Sequence, residues 1–341
     1  MKLSDYTYEL PESLIADVPP NVRGTSRLLV LNKKSGTITD KRYSELSEFL
    51  KKGDVLVLND TKVIKARLKV ENENGAIREL VILEKHSFDN DWYCHKVLYR
   101  RKLNVGDKLR LGSAKLVVEE IIGDGIAMVR SNQDLLELAE KFGEVPLPPY
   151  MHREATSLDI ERYQTVWANE DGSVAAPTAS LNMTDGTLES LRDKGVVIAY
   201  MTLHVGLGTF LPIRTDNVED HHMHQEYFEI PKATVRAIKL SKTAGSRIIA
   251  LGTTVARALE YSHDSFTQVQ SDISGEADIF IYPGYSFKTI DGLLTNFHAP
   301  KSTVLMLTAA FAGWDKLLPA YKHAVSKKYH FLSYGDSMLV L

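Results

Sequence analysis

The hydrophobic period of this chain changes twice, and those changes constrain its fold more than any other feature. Up to about residue 61, apolar runs alternate with helical spacing. Arg27-Leu-Leu-Val-Leu-Asn reads as a strand, and Tyr43 to Lys51 places Tyr43, Leu46, Phe49 and Leu50 at helical intervals. Asp54-Val-Leu-Val-Leu-Asn reads as a buried strand. Short β-rich runs follow: Val63 to Val70, Arg78 to Leu83, Trp92 to Leu98, Lys108 to Leu111, Lys115 to Ile122 and Ile126 to Val129. Turn chemistry such as Asn-Gly, Val-Gly-Asp and Gly123-Asp-Gly separates them, the pattern of a small sandwich or barrel. Val145-Pro-Leu-Pro-Pro-Tyr cannot be helix interior and reads as an ordered connector. Beyond it alternation resumes, with helices expected over Leu188–Lys194, Ala233–Ala244, Val255–Tyr261, Thr303–Ala312 and Leu317–Tyr329. Strands are expected over Val196–His204, Arg247–Leu251 and Asp278–Tyr282, with a last one after Asp336. The fold class expected is α/β: a mixed, barrel-like main domain from residues 1–61 and 146–341, interrupted by a small inserted all-β, barrel-like domain over 62–145.

Composition narrows the function classes. The 341 residues are 44% hydrophobic and 25% charged with a net charge of −3, which excludes a disordered or fibrous chain and one held on nucleic acid by bulk charge. The single Cys94 cannot form an internal disulfide and is too little for a cysteine zinc site. Met1-Lys-Leu-Ser-Asp-Tyr is not a signal peptide and no apolar run is long enough to span a membrane, so a cytoplasmic protein is expected. Charge is nonetheless uneven: residues 61–115 hold 13 Lys or Arg against 7 Asp or Glu, including Arg100, Arg101 and Lys102. Such a module can meet a polyanion, although on charge alone a solvated face is the preferred reading.

Several polar constellations sit beside apolar runs. Arg247-Ile-Ile-Ala-Leu-Gly-Thr-Thr carries a strand into a turn at Gly252, where Thr253 or Thr254 can cap the next helix and its N–H groups attract an anion. Arg257 lies one turn further on; an ordinary capped turn is the plain alternative. Leu203-His204-Val-Gly206-Leu-Gly208 ends a strand in two closely spaced glycines without being a dinucleotide fingerprint. In Glu219-Asp-His-His-Met-His-Gln-Glu, the residues His221, His224 and Glu226 could hold a metal, but without a helix the spacing fixes no ligand geometry. Acid–base or hydrogen-bonding roles are preferred there, a solvated loop being the plain alternative. Asn296 and His298 precede an apolar helix that Ser302 can cap, and Asp336 sits in a turn before the final strand.

Taken together these strings resemble the S-adenosylmethionine:tRNA ribosyltransferase-isomerases of queuosine biosynthesis. The blocks include Tyr6-x-Tyr-x-Leu-Pro, Arg23-x-x-Ser-Arg27-Leu-Leu-Val, Gly53-Asp-Val-Leu-Val-Leu-Asn-Asp-Thr-Lys-Val and Pro146-Leu-Pro-Pro-Tyr. Tyr163-Gln-Thr-Val-Trp-Ala, Val174-Ala-Ala-Pro-Thr-Ala, Thr202-Leu-His-Val-Gly, Gly208-Thr-Phe, His221-x-Met-His-x-Glu-Tyr and Gly252-Thr-Thr follow. Ile279-Phe-Ile-Tyr-Pro-Gly, Thr295-Asn-Phe-His-x-Pro-Lys-Ser-Thr, Ala320-Tyr and Phe331-x-Ser-Tyr-Gly-Asp complete the series in order along nearly the whole chain. One block departs: where the family usually reads Thr-Ala-Gly-Leu-His-Phe, this chain has Thr178-Ala-Ser180-Leu-Asn182-Met.

The resemblance implies transfer and isomerisation of the ribosyl unit of S-adenosylmethionine onto 7-aminomethyl-7-deazaguanine at the tRNA wobble position, giving epoxyqueuosine-tRNA, adenine and methionine. It implies S-adenosylmethionine as co-substrate with no metal or other cofactor, a GUN-type tRNA as partner, no membrane and a monomer. His204, His224 and His298 are then candidates for proton transfer, with Glu226 orienting or accepting. Thr178, Asn182, Gly206, Gly208, Gly252, Thr253, Thr254, Arg257, Asn296 and Asp336 are candidates for binding S-adenosylmethionine or the modified base. The Gly252 turn with Arg257 suits a methionine carboxylate or a tRNA phosphate. Arg23, Arg27, Lys62, Arg100, Arg101 and Lys102 are candidates for tRNA contact, and Asn59 and Thr61 for substrate or RNA contact. The alternatives are a catalytically impaired tRNA-binding paralogue, since Asn182 cannot titrate near neutrality, and a metal-dependent hydrolase on His221, His224 and Glu226.

Overall fold

The computed structural model describes residues 1–86, 91–206, 213, 215–268 and 271–341. Along the chain the strands are β1 (Arg27–Leu31), β2 (Ile38–Arg42), β3 (Val55–Asn59), β4 (Thr61–Val63), β5 (Arg67–Asn72), β6 (Ile77–Ile82), β7 (Cys94–Tyr99), β8 (Lys108–Leu111), β9 (Ala114–Gly123) and β10 (Ile126–Ser131). They continue as β11 (Glu170–Ser173), β12 (Val197–Leu203), β13 (Glu226–Ile230), β14 (Ile248–Leu251), β15 (Ile273–Ala277), β16 (Gly292–Asn296) and β17 (Ser337–Val340). The helices are α1 (Leu135–Phe142), α2 (Ser157–Arg162), α3 (Asp185–Asp193), α4 (Lys232–Ala244), α5 (Thr253–Tyr261), α6 (His263–Gln268), α7 (Thr303–Ala312) and α8 (Trp314–Ser326).

Among the described residues a nine-stranded mixed sheet runs β15-β13-β12-β3-β14-β16-β17-β1-β2. Its central strands β12, β3, β14 and β16 are mutually parallel, which is why β3 and β14 read as unbroken apolar runs: each is buried on both faces. Leu29, Leu31, Val55, Val57, Met201, Leu203, Ile248 and Ala250 pack on the face covered by α4, α5, α7 and α8. Leu28, Val30, Leu56, Leu58, Ile249 and Leu251 fill the other face against α3 and a 3-10 helix at Tyr43–Glu48. Strand side chains alternate in direction, so one apolar segment serves two cores, each fully buried aliphatic contributing roughly 1.5–3 kcal/mol.

The inserted strands close a barrel in the order β10-β7-β6-β5-β8-β9. Leu68, Val70, Leu80, Ile82, Val97, Leu116, Val118, Ala127 and Val129 fill it, and α1, capped by the Asp134 carboxylate on the Leu136 and Glu137 N–H groups, packs on the same cluster. β4 and β11 pair in parallel where the chain leaves and rejoins the main sheet. No helix among the described residues is long and apolar enough to cross a membrane.

Three expectations are corrected. Tyr43–Glu48 is 3-10 rather than α, and the Val63–Val70 run breaks between β4 and β5. Asp278–Tyr282 is not a strand: pairing with β13 ends at Ala277, and the Ala277 and Ile279 carbonyls accept from the Arg257 guanidinium at 3.0 and 3.2 Å instead of from a neighbouring strand.

Candidate functional site

Val205 follows β12, Gly252–Thr254 follow β14, and Thr295, Asn296 and His298 end or follow β16; all line one cleft of about 190 Å³. It therefore opens at the carboxyl ends of parallel strands, where α/β sheets bind ligands. Ala176, Pro177, Thr178 and Ala179 form one wall, and Tyr150, Leu332 and Ser333 close the lip. Gly252 adopts φ +97°, a left-handed conformation that turns β14 sharply into α5. The Thr178 hydroxyl donates to Asn296 Oδ1 at 3.0 Å, whereas Asn296 Nδ2 and Thr254 Oγ1 are buried with no hydrogen-bond partner.

Of the three candidate histidines, His298 lines the cleft. Its Nε2 lies 3.0 Å from Thr295 Oγ1, its N–H donates to Tyr321 Oη at 3.1 Å and its carbonyl accepts from Tyr8. Burial pushes its pKa down to about 3, so the ring is neutral at physiological pH. His204 precedes Val205 just beyond the end of β12 and is turned to other partners. It is buried, with Nδ1 2.9 Å from Thr61 Oγ1 and its ring stacked 6.0 Å from Tyr227. Burial first and the Lys85 charge second push its pKa down to about 3. His224 is exposed ahead of β13 and offers its backbone carbonyl to Arg257 at 3.4 Å. Neither His204 nor His224 lines the cleft.

Glu226 and Arg257 form a buried ion pair behind the Gly252 turn. The other Glu226 oxygen accepts from Gly206 N at 3.1 Å. A Cβ on Gly206 would stand 2.4 Å from Glu84 Oε1, so a glycine is what allows the stretch of the barrel just after β6 to press against this strand end. The Arg257 charge is met by Glu226 and its further donors lie on backbone carbonyls, while its side chain lines a small pocket that shares Thr253 and Thr254 with the cleft. Glu226 does not join His221 and His224: His221 sits edge-on to Phe280, and among the described residues no group of three or more His, Cys, Asp or Glu is placed to hold a metal.

Other expected site residues are held by partners within the fold or stand on the surface. Asn182 accepts from Ser26 at 2.7 Å and donates to the Gly335 carbonyl and Ser337 Oγ at 2.9 and 3.1 Å, away from the cleft. In this chain the position is thus a packing partner and does not line the cleft. Asp336 accepts from the Arg27 and His330 N–H groups at 2.6 and 2.8 Å, fixing the turn that presents Leu332 and Ser333. Arg23 donates to the Gln164 and Leu181 carbonyls, and Arg27 lies 3.6 Å over the Tyr329 ring. Asn59 ties β3 to both backbone groups of Leu203, and Thr61 bridges Ser173 and His204. Lys62 pairs with Asp171 at 3.1 Å and Arg100 with Glu79 at 3.5 Å, while Arg101 and Lys102 are exposed. Gly208 lies outside the described residues. Tyr150, Lys301 and Ser333 line the cleft and were not singled out, although each lies in a quoted block.

The sequence profile of the family described as queuosine biosynthesis protein matches residues 3–340. The S-adenosylmethionine:tRNA ribosyltransferase-isomerase of Chlorobium phaeobacteroides is 54% identical and that of Halothermothrix orenii 48%, each match covering all of both chains. The crystal structure of an S-adenosylmethionine tRNA ribosyltransferase from Thermotoga maritima is 34% identical, with a TM-score of 0.57 over 99% of this chain and 100% of that one.

Proposed function

Because this chain belongs to the queuosine biosynthesis protein family and is an S-adenosylmethionine:tRNA ribosyltransferase-isomerase, we propose that the cleft at the ends of β12, β14 and β16 is where S-adenosylmethionine meets the modified nucleoside. The observation that carries this reading is the convergence of three parallel strand ends on one cleft with an apolar wall and a neutral imidazole. The acceptor is the aminomethyl arm of 7-aminomethyl-7-deazaguanine at the wobble position of a GUN-type tRNA. The sulfonium acidifies the C5′ proton of the sugar; a base removes it, the ring opens with loss of adenine, the amine attacks, and closure to the epoxide expels methionine.

His298 is the residue we assign to that proton. Its neutral, half-buried ring lines the cleft; with its pKa held at about 3 it is a weak base by itself, and it takes the proton with an anion beside it to stabilise the imidazolium. The departing adenine is such an anion, so the proton taken from C5′ passes to the purine and the ring returns to neutrality. No metal or redox partner enters this sequence. The exposed Arg100, Arg101 and Lys102 turn of the barrel would take RNA phosphates, and we place the protein in the cytoplasm as a monomer. A tRNA-binding paralogue without catalysis is not favoured, since Asn182 lies apart from the cleft.

The test is adenine release from S-adenosylmethionine with tRNA bearing the modified base. The wild type should release adenine in step with nucleoside conversion, and His298→Ala should turn over ~10²–10⁴-fold more slowly. His204→Gln should keep kcat within about tenfold. Near-normal turnover of His298→Ala removes the assignment; no adenine from the wild type removes the reading.

A further inference from the structure

The same cleft has an unfilled polar floor. α5 begins at Thr253 without any side-chain cap, because its N-cap is Gly252. Gly252 spends its own N–H on the Leu294 carbonyl at 2.8 Å. The N–H groups of a first helical turn have no acceptor within the helix, and together with the dipole they favour an anion. α7 opens on the same cleft, but Ser302 already accepts from Leu305 N at 3.2 Å, so the open end is that of α5. Two side chains beside it point independently to a ligand. Asn296 is 2% exposed and Thr254 8%, both line the cleft, and neither the amide Nδ2 nor the hydroxyl has a partner. The Asn296 carbonyl oxygen is held by Thr178, which leaves the amide N–H groups as the available side. A buried donor without an acceptor costs free energy that a ligand can recover.

We infer that the start of α5, with the Asn296 amide and the Thr254 hydroxyl, holds the α-carboxylate of the methionyl arm of S-adenosylmethionine. The floor supplies donors and a helix dipole, the Arg257 charge behind it being met by Glu226, and the cation on the cleft lining is Lys301. That suits a singly charged terminal group. A phosphodiester carries sugars on both sides and cannot bring its oxygens to a floor buried this far, whereas a chain-end carboxylate can. The assignment rests on the reading of the cleft given above. It places the leaving amino acid over α5, with the sulfonium and sugar toward His298.

The experiment compares S-adenosylmethionine with its decarboxylated analogue, which keeps the sulfonium and adenosyl group and lacks the carboxylate. Adenine release is followed with substrate tRNA. The wild type should favour S-adenosylmethionine in kcat/KM by about 30-fold or more. Thr254→Val keeps the shape and removes a hydroxyl that bonds nothing in the fold; it should cut that preference about fivefold or more, mainly through KM. Asn296→Asp sets a like charge against the carboxylate and should cut it at least about tenfold. Equal use of both nucleosides by the wild type overturns the carboxylate assignment while leaving the cleft reading intact. So does a Thr254→Val enzyme that loses both substrates by the same factor, or one whose affinity falls for tRNA alone. No adenine from either nucleoside with the wild type fails the cleft reading itself, and this assignment with it.

Discussion

An unfolded His204 or His298 takes up its proton near pH 6.5, whereas either folded ring does so only at about 3. Over that interval the unfolded chain holds more protons than the folded one, so stability falls as pH drops, by about 1.4 kcal/mol per pH unit for each histidine. Above pH 6.5 both rings are neutral in both states and the dependence vanishes. His204→Gln should therefore be measurably less pH-sensitive than the wild type when urea midpoints are compared from pH 7.5 to 5, and an unchanged dependence would show that His204 titrates normally. A carboxylate acts with the same sign for a different reason. Burial alone would raise the Asp159 pKa, but Arg153, the Thr156 N–H and the Tyr334 hydroxyl hold it well below the ordinary range. Its contribution is present at neutral pH and lost as pH falls below about 4. Asp159→Asn should cost about 2–3 kcal/mol at pH 7, read from denaturant unfolding. At this scale the sequence named the polar residues but not their duties. Asn182, Asp336 and Arg27 are of types that serve equally in a site and in a fold, and only their partners decide.

Elements were legible where burial is symmetric. β1, β3 and β14 and helices α4, α7 and α8 are strongly apolar or strongly periodic, and their positions follow from that. β13 and β16 were not, because their polar residues face specific partners: Glu226 its arginine, and Thr295 and Asn296 the cleft. The Glu226–Arg257 pair joins β13 to α5 and also binds the stretch after β15, so one guanidinium fixes three segments. Arg257→Met leaves a carboxylate buried without its counter-charge and should destabilise by about 3–5 kcal/mol in chemical unfolding. Adding Glu226→Leu should restore much of that loss, since the uncompensated charge is then gone. A double variant as unstable as the single one would mean that the carbonyl contacts of Arg257, not the ion pair, carry the effect.

In the whole molecule, texture and charge change together where the barrel begins, which made the insertion readable without any contact information. What stayed invisible was the order of strands, because parallel neighbours far apart in sequence leave no local signal. If the barrel meets RNA through Arg100, Arg101 and Lys102, replacing all three by Ser should weaken tRNA binding and reduce the slope of log affinity against log salt by about 2–3. An unaltered slope would place the RNA elsewhere. β17 sits between β16 and β1, an inner position rather than an edge. During synthesis the large sheet thus stays in two pieces, β1–β2 on one side and the parallel group on the other, until residue 340 has cleared the ribosome. The lip residues Leu332 and Ser333 emerge only just ahead of that strand. A nascent chain consequently has no finished chamber in which to break down a costly metabolite before its RNA can be received.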